Sequence, residues 1–195
     1  MTHATIASLQ LGSDPAGKAA TLDKILAHES EIKGAQLDLL VMPEALLGGY
    51  PKGETFGTQL GFRLPEGREA FARYYANSVA LDGAEITALS DLSRRTKTTL
   101  VLGVIERGGN SLYCTALFIT PQEGLVAKHR KLMPTGSERL VWGLGDGSTM
   151  PVVETPFGRL GAAICWENHM PLFRTAMYAK GVDIWCAPTV DHRDV

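Results

Sequence analysis

Apolar runs and an amphipathic segment alternate at the start of the chain, and this alternation restricts the fold more than any other feature. The apolar runs predict strands over residues 5–11 and 37–43, and the segment between them predicts a helix over residues 17–33. That helix carries Leu22 and Ile25 with charges between them, the pattern of a helix that covers one face of a sheet. The order of elements predicts an α/β fold.

Hairpins follow in the second half of the chain, so we expect a mixed sheet. Turn residues over 108–110 and 121–124 separate three apolar runs. The Gly-rich loop over residues 46–65 is long enough to predict either a function or disorder. The other predicted elements are helices over residues 68–79, 83–96 and 170–181, and strands over 99–105, 111–119, 125–131, 152–155, 160–165 and 182–188. Since no linker or repeat interrupts them, residues 1–195 are expected to form a single domain.

Composition excludes several classes of protein. The chain has 195 residues, 45% of them hydrophobic, which is enough for one globular core. A net charge of −2 provides no positive electrostatic potential that would attract nucleic acid. The sequence shows neither a membrane-spanning apolar stretch nor a signal peptide at its start, so we expect no membrane partner and a cytoplasmic location. Cys114, Cys165 and Cys186 lack the spacing of a zinc site or a disulfide framework and are expected to be free thiols.

Three predicted strand ends carry chemically useful side chains. Glu44, Lys131 and Cys165 each close a predicted strand. If these strands lie side by side in one sheet, a carboxylate, an ammonium and a thiol converge. Such a set suits attack on an electrophilic carbon bound to nitrogen, because the thiolate adds, the carboxylate moves protons and the cation holds the developing charge. This chemistry needs neither a metal nor another cofactor.

Cys165 lies at the predicted junction between a buried strand and a helix, so we expect its thiol to be accessible. Pro171 suits the first turn of that helix, and Gly181 suits the position after its last turn. The helix N-terminus then points toward the sulfur. We therefore expect its partial positive charge to favour the thiolate over the thiol. Cys114 and Cys186, in contrast, are expected to be inert and buried.

Simpler interpretations of the same residues remain open at this point. Glu44 alone is also typical of a helix-initiating or exposed carboxylate. The basic run over residues 128–131 is also typical of a solvated or nucleic-acid-binding patch. Strand alternation, however, places Lys131 on the face opposite Lys128 and Arg130.

Other side chains near Cys165 offer rival chemistry. His169 and His192 lie close enough in the sequence to the predicted pocket for a cysteine–histidine pair, although their spacing does not favour it. Glu167, two residues after the thiol, could be mistaken for its base. At a helix start, however, a carboxylate is equally expected to interact with the helix dipole.

Three long blocks of the sequence resemble a known family. Residues 43–53, 128–139 and 161–168 resemble the three signature blocks of the carbon-nitrogen hydrolase superfamily, and they look most like its nitrilase branch. The resemblance extends from the first strand to the last residue and includes residues 142–148 and 187–191. It implies a four-layer αββα sandwich.

The resemblance also implies roles for individual residues. Glu44 would be the general base and acid, Lys131 would stabilise the tetrahedral intermediates, and Cys165 would be the nucleophile. Glu138 matches the family's second glutamate, which would orient the lysine or help to handle water. The backbone N–H of Trp166 would donate to the oxyanion.

Two further residues have alternatives of their own. Glu138 lies beside Arg139 and could simply pair with it. Tyr50, in the Gly-rich loop, either reaches the substrate or packs its ring on the core. The three tryptophans are expected in the core or in a subunit interface.

The activity implied by the resemblance is hydrolysis of a small nitrile by water, through a thioimidate and a thioester, to a carboxylic acid and ammonia. No cofactor is implied, and the complete protein is expected to form a homo-oligomer, either a dimer or a larger spiral. An amidase or carbamoylase of the same superfamily is the nearest alternative. Because the chain stops directly after its last predicted strand, we expect a fragment truncated at the C-terminus, and a non-catalytic truncated subunit is the second alternative.

Overall fold

The computed structural model describes residues 3–190 of the chain. Its strands are β1 Ile6–Ser8, β2 Leu39–Val41, β3 Thr58–Gln59, β4 Phe62–Arg63, β5 Thr99–Gly108, β6 Ser111–Thr120, β7 Gly124–Arg130, β8 Val153–Thr155, β9 Gly158–Ala162 and β10 Ile184–Cys186. Its α-helices are α1 Lys18–Ala27, α2 Glu29–Gly34, α3 Pro65–Ala76, α4 Ala84–Thr96 and α5 Pro171–Ala179, and 3-10 helices span Gly136–Leu140 and Cys165–His169. Over this range we find no helix with the length and apolarity needed to span a membrane.

The strands form two larger sheets and one separate hairpin. The first sheet has the order β1-β2-β5-β6-β7, in which β1, β2 and β5 are parallel and β6 and β7 are antiparallel to their neighbours. The second sheet has the order β10-β9-β8, with β9 parallel to β10 and antiparallel to β8. Strands β3 and β4 pair with each other. The predicted mixed pairing is confirmed, but it is divided over two sheets.

One face of the first sheet is covered by helices. Leu100 and Leu102 of β5 are fully buried in one cluster with Ile25 of α1 and Leu89 of α4. Each such side chain contributes about 1.5–3 kcal/mol when it leaves water. Because side chains alternate along a strand, the intervening Val101 points to the opposite face.

The opposite face of the first sheet packs on the second sheet. Val101 and Phe118 share a fully buried cluster with Leu160 of β9. On the far side, Phe173 and Met177 of α5 form a third cluster against the segment that follows β9. The layers therefore run helix, sheet, sheet, helix, which is the expected αββα sandwich.

The strands before the three candidate residues differ from the expectation. β9 lies in the second sheet whereas β2 and β7 lie in the first, so the expectation of one shared sheet is wrong. β2 ends at Val41 and β9 ends at Ala162, so Glu44 and Cys165 lie in the loops that follow them. Only Lys131 directly follows its strand. The sheets pack face to face, and this packing brings residues from both of them together.

Two local predictions also need correction. The helix predicted over residues 17–33 is interrupted at His28, where ψ is 2°, and this residue ends α1 and precedes α2. The long loop predicted over residues 46–65 contains the β3–β4 hairpin and reaches Pro65, which begins α3. Proline at a first helical turn costs no hydrogen bond, so α3 starts there instead of at residue 68.

Gly103 of β5 supports the loop that carries Glu44. Its N–H donates to the carbonyl of Pro43 at 2.9 Å, and an added Cβ would meet Glu44 Cα and lie 2.5 Å from that carbonyl oxygen. We expect Gly103→Ala to lower the free energy of unfolding by about 1–3 kcal/mol, the usual cost of overpacking. Urea denaturation measures it. Gly34→Ala is the control, because nothing lies within 4 Å of a Cβ added there; an equal loss in both variants would contradict this explanation.

Candidate active site

A buried ammonium group lies at the centre of the candidate site. Lys131 is 1% exposed, and its Nζ donates to Glu44 Oε1 at 2.7 Å and to Glu138 Oε2 at 2.9 Å. Its backbone N–H donates to the carbonyl of Cys114 at 2.8 Å, which extends the pairing with β6 beyond β7. Burial lowers the pKa of Lys131, but the neighbouring carboxylates, Glu44 first, outweigh it and raise the pKa above its ordinary value. The group is therefore an ammonium at neutral pH.

The basic run over residues 128–131 is divided between two faces. Lys128 Nζ and Arg130 Nη2 each donate to Glu106 Oε1 at 2.6 Å, on the face away from Lys131. Glu106 is itself almost fully buried. The predicted alternation is confirmed. The interpretation of the run as a simply solvated patch is wrong, because a buried carboxylate binds two of its cations. The absence of a nucleic-acid partner stays a prediction.

Glu44 is almost fully buried, so the alternative of an exposed carboxylate is wrong. Its Oε1 accepts from Lys131 and from the thiol of Cys114, whose Sγ lies 3.5 Å away. Its Oε2 accepts from the backbone N–H of Val190 at 3.2 Å. The loop turns immediately afterwards at Ala45, where φ is 52°. Three donors from distant parts of the chain therefore hold this carboxylate in place.

Glu138 lies in the first turn of the 3-10 helix that follows β7. Its Oε2 accepts from the N–H of Thr135 at 2.6 Å, and its Oε1 accepts from the hydroxyl of Tyr50 at 2.7 Å. Arg139 donates instead to the carbonyl of Pro134 at 2.9 Å. The interpretation of Glu138 as the simple partner of Arg139 is therefore wrong.

Tyr50 connects the Gly-rich loop to this network. Its ring packs edge-on against Trp142, with centroids 5.5 Å apart, while its hydroxyl binds Glu138. Burial first, and then the hydrogen bond to Glu138, raise the pKa of the Tyr50 phenol. The same Trp142 ring lies 5.7 Å from Lys131 Nζ. Tyr50 therefore combines core packing with a contact to the candidate site.

Cys165 is the first residue of the second 3-10 helix. Its φ is 52°, and its N–H donates to the carbonyl of Pro188 at 3.0 Å. Burial first, and then the charge of Glu44, raise the pKa of the Cys165 thiol to about 11, although Lys131 and the backbone N–H of Trp166 act in the opposite direction. The expected thiolate is therefore wrong, because burial and a carboxylate outweigh Lys131 and the N–H of Trp166. At neutral pH the free site holds a thiol.

These contacts bring the predicted residues into one cluster. The charges that act on the thiol of Cys165 are those of Glu44, Lys131 and Glu138, and the N–H of Trp166 points at the sulfur. The cluster thus provides a sulfur nucleophile, a carboxylate that can take its proton, a fixed ammonium and a backbone N–H donor. Within residues 3–190, we find no group of three or more His, Cys, Asp or Glu side chains placed to hold a metal ion.

A rival cysteine–histidine pair is not found within the described range. The ring of His169 packs on Trp166 with centroids 5.0 Å apart, and no hydrogen bond joins it to Cys165. His192 lies outside the described residues. Trp142 belongs to the core as expected, whereas the side chain of Trp166 is largely exposed.

Two buried groups escape prediction from the sequence. Glu167 is expected to interact with a helix dipole, but it is fully buried and binds His129. Cys114 is buried as predicted, yet its thiol contacts Glu44. Strand alternation was a usable signal for Cys114, since it shares the inward face of β6 with Phe118.

The chain is similar to known proteins over nearly its whole length. The model of the carbon-nitrogen hydrolase family matches residues 5–194. A bifunctional nitrilase/nitrile hydratase of Nicotiana tabacum is 55% identical over 178 residues, which cover 90% of this chain and 51% of that protein. An aliphatic nitrilase of Sinorhizobium fredii (strain HH103) is 52% identical over 196 residues, which cover 100% of this chain and 63% of that protein.

The solved structures extend the comparison to the fold. An amidase from Nesterenkonia sp. superposes with a TM-score of 0.76 at 20% identity, over 98% of this chain and 66% of that chain. The chain spans between about half and two thirds of the length of the relatives described. Since the family model covers nearly the whole chain, this protein belongs to the carbon-nitrogen hydrolase family.

Proposed function

We propose that the protein hydrolyses an organic nitrile to a carboxylic acid and ammonia. The observation that carries the proposal is that the partly buried thiol of Cys165 lies within the electrostatic influence of the buried pair Glu44 and Lys131. Relatives that are named nitrilases and share more than half of their aligned residues with this chain support the choice of substrate.

The first step is addition of sulfur to the nitrile carbon. Because the pKa of the Cys165 thiol is about 11, the thiol needs a base, and Glu44 is the carboxylate whose charge acts on it most strongly. As the sulfur–carbon bond forms, the C≡N bond becomes C=N and its nitrogen receives the proton. The product is a thioimidate. Lys131 and the backbone N–H of Trp166 stabilise the negative charge that develops during addition.

Two water molecules complete the reaction. Glu44 activates the first water, which adds to the thioimidate carbon, and the tetrahedral intermediate then expels ammonia to leave a thioester. The second water hydrolyses the thioester and returns the proton to Cys165. One nitrile and two waters therefore give one acid and one ammonia. Glu138 keeps Lys131 in position, and the hydroxyl of Tyr50 donates to the same carboxylate.

An amidase or carbamoylase would use the same residues. Its substrate already carries a carbonyl oxygen. Addition of the thiol to that substrate therefore gives directly the tetrahedral intermediate from which ammonia is expelled. The solved amidase structures share the fold with this chain but are only about one fifth identical to it. The more similar relatives described above are named nitrilases, and they favour the nitrile.

Parallel incubations distinguish these activities. The full-length protein is given an aromatic, an arylaliphatic and an aliphatic nitrile, and separately the matching amides, and ammonia, acid and amide are measured over time. We expect ammonia and acid in equal amounts from at least one nitrile. Turnover of the amides alone would establish an amidase instead. Turnover of neither set would contradict the proposed hydrolysis.

A further inference from the structure

Glu167 is a buried carboxylate to which the reaction above assigns no role. Both Glu167 and His129 are completely buried. Glu167 lies two residues after Cys165, the proposed nucleophile. Its side chain is directed away from solvent and toward the segment that follows β7. A charge in such a place is costly unless it is paired and fully hydrogen-bonded, so its contacts require an explanation.

The two oxygens of Glu167 hold the backbone beside two residues of the candidate site. Oε1 accepts from the N–H of Leu132 at 2.7 Å, and Oε2 accepts from the N–H of Ile164 at 2.8 Å. Leu132 directly follows Lys131, and Ile164 directly precedes Cys165. One carboxylate therefore joins the end of β7 in the first sheet to the loop after β9 in the second.

His129 fixes the orientation of this carboxylate. Its Nδ1 lies 2.6 Å from the carbonyl of Thr149, which can only accept, so Nδ1 carries a hydrogen. Its Nε2 lies 2.8 Å from Glu167 Oε2, and this contact needs a second proton between the two atoms. The pair is therefore neutral as a whole. The ring also packs on Phe173 of α5 with centroids 5.3 Å apart, which limits its rotation.

We propose that Glu167, held by His129, is a positioning residue that sets the placement of Cys165 relative to Lys131. This inference rests on the proposed hydrolysis, and it deepens that proposal by identifying what aligns the nucleophile. Glu167 need not touch the substrate. Its effect is transmitted through the N–H groups of Ile164 and Leu132, which it holds at a fixed separation.

Glu167→Gln is the direct test, because it keeps the shape and removes one acceptor. If its amide oxygen keeps the bond to Leu132, its NH₂ group faces the N–H of Ile164, and two donors cannot pair. The backbone before Cys165 then shifts. We expect kcat for the nitrile to fall by about 100-fold with little change in KM, the usual effect of misplacing a reacting group by about 1 Å.

Alkylation of Cys165 gives a readout that does not depend on turnover. Iodoacetamide is added over a range of pH, and modification of Cys165 is followed by peptide mass mapping. The groups that face this thiol are Glu44, Lys131 and Glu138, and Lys131 is the one that favours its ionised form. Because a displaced sulfur changes its distance to all three charges, we expect the alkylation rate at pH 8 in Glu167→Gln to differ from the parental rate by about tenfold, equivalent to one pKa unit.

Glu106→Gln is the matched control. Glu106 is also a buried carboxylate bound to side chains of β7, but those side chains lie on the face away from the site. We expect it to lower the thermal midpoint while leaving kcat and the alkylation of Cys165 unchanged.

Should Glu167→Gln be too unstable to purify, His129→Gln is measured instead. It keeps Glu167 and both of its backbone bonds, so a smaller loss of about tenfold in kcat is expected.

The outcomes separate this inference from the proposed function. A changed alkylation rate and a lower kcat in Glu167→Gln, with neither change in Glu106→Gln, support the inference. If the parent protein hydrolyses no nitrile but the difference in alkylation persists, the inference stands and the proposed function fails. Alkylation of Cys165 at the parental rate in Glu167→Gln, whatever happens to its thermal midpoint, would overturn the inference. So would equal effects of both substitutions.

Discussion

Lys131→Met is expected to abolish nitrile hydrolysis and to lower the free energy of unfolding by about 3–5 kcal/mol. The substitution keeps most of the side-chain volume but removes the cation between Glu44 and Glu138, whose carboxylates lie 2.7 Å and 2.9 Å from Nζ. Both carboxylates are buried, so each would lose its main counter-charge where water cannot replace it. Ammonia release measures the first effect and urea denaturation at pH 7 measures the second.

Lys128→Met is the control for the loss of a lysine from the same segment. Its Nζ is more accessible, and its partner Glu106 keeps Arg130 at 2.6 Å when the lysine is removed. We expect a loss of about 1 kcal/mol and normal turnover. If Lys131→Met were as stable and as active as Lys128→Met, the assignment of Lys131 as the central cation of the site would be wrong.

Cys165→Ala is expected to reduce nitrile turnover by about 10⁵-fold or more, the scale seen when a covalent nucleophile is removed. The loss is large because Cys114, the other thiol that contacts Glu44, is almost fully buried and therefore closed to a substrate. Stability should change little, since Cys165 is only partly buried and alanine keeps its Cβ at the same backbone conformation. Turnover and urea denaturation are measured on the same preparation.

Cys186→Ala is the control for this prediction. Cys186 lies in β10 and is buried in the cluster between the sheets, where burial raises the pKa of its thiol to about 12. We expect it to keep full activity and to lose about 1 kcal/mol of stability through lost apolar contact. Activity retained in Cys165→Ala, or lost in Cys186→Ala, would contradict the assignment of Cys165 as the nucleophile.

The order of helices and strands could be predicted because it depends on local periodicity. The apolar runs identify β2, β5, β6 and β7, and turn residues identify the hairpins between them. The division into two sheets could not be predicted in this way. Which distant strands pair depends on how the buried faces fit. The resemblance to a family, and not the periodicity, gave the four layers.

The site shows the same contrast between local and distant effects. The motifs identified Glu44, Lys131 and Cys165, and the structure brings them together. The ionisation of Cys165 could not be predicted, because it depends on burial and on a carboxylate 121 positions earlier in the chain. Glu167 has the same difficulty, since its hydrogen-bond partners lie across the boundary between the two sheets. The single domain, the cytoplasmic location and the homo-oligomer stay predictions, and light scattering tests the last of them.

Covalent trapping tests the central claim most directly. The full-length protein is mixed with a nitrile that it turns over, quenched in acid within one turnover, and examined by intact-protein and peptide mass spectrometry. We predict a mass increase equal to the imidoyl or acyl group of that nitrile, located on Cys165 and absent from Cys165→Ala. An adduct on Cys114 or Cys186, or turnover with no adduct on Cys165 under conditions that preserve thioesters, would contradict the account.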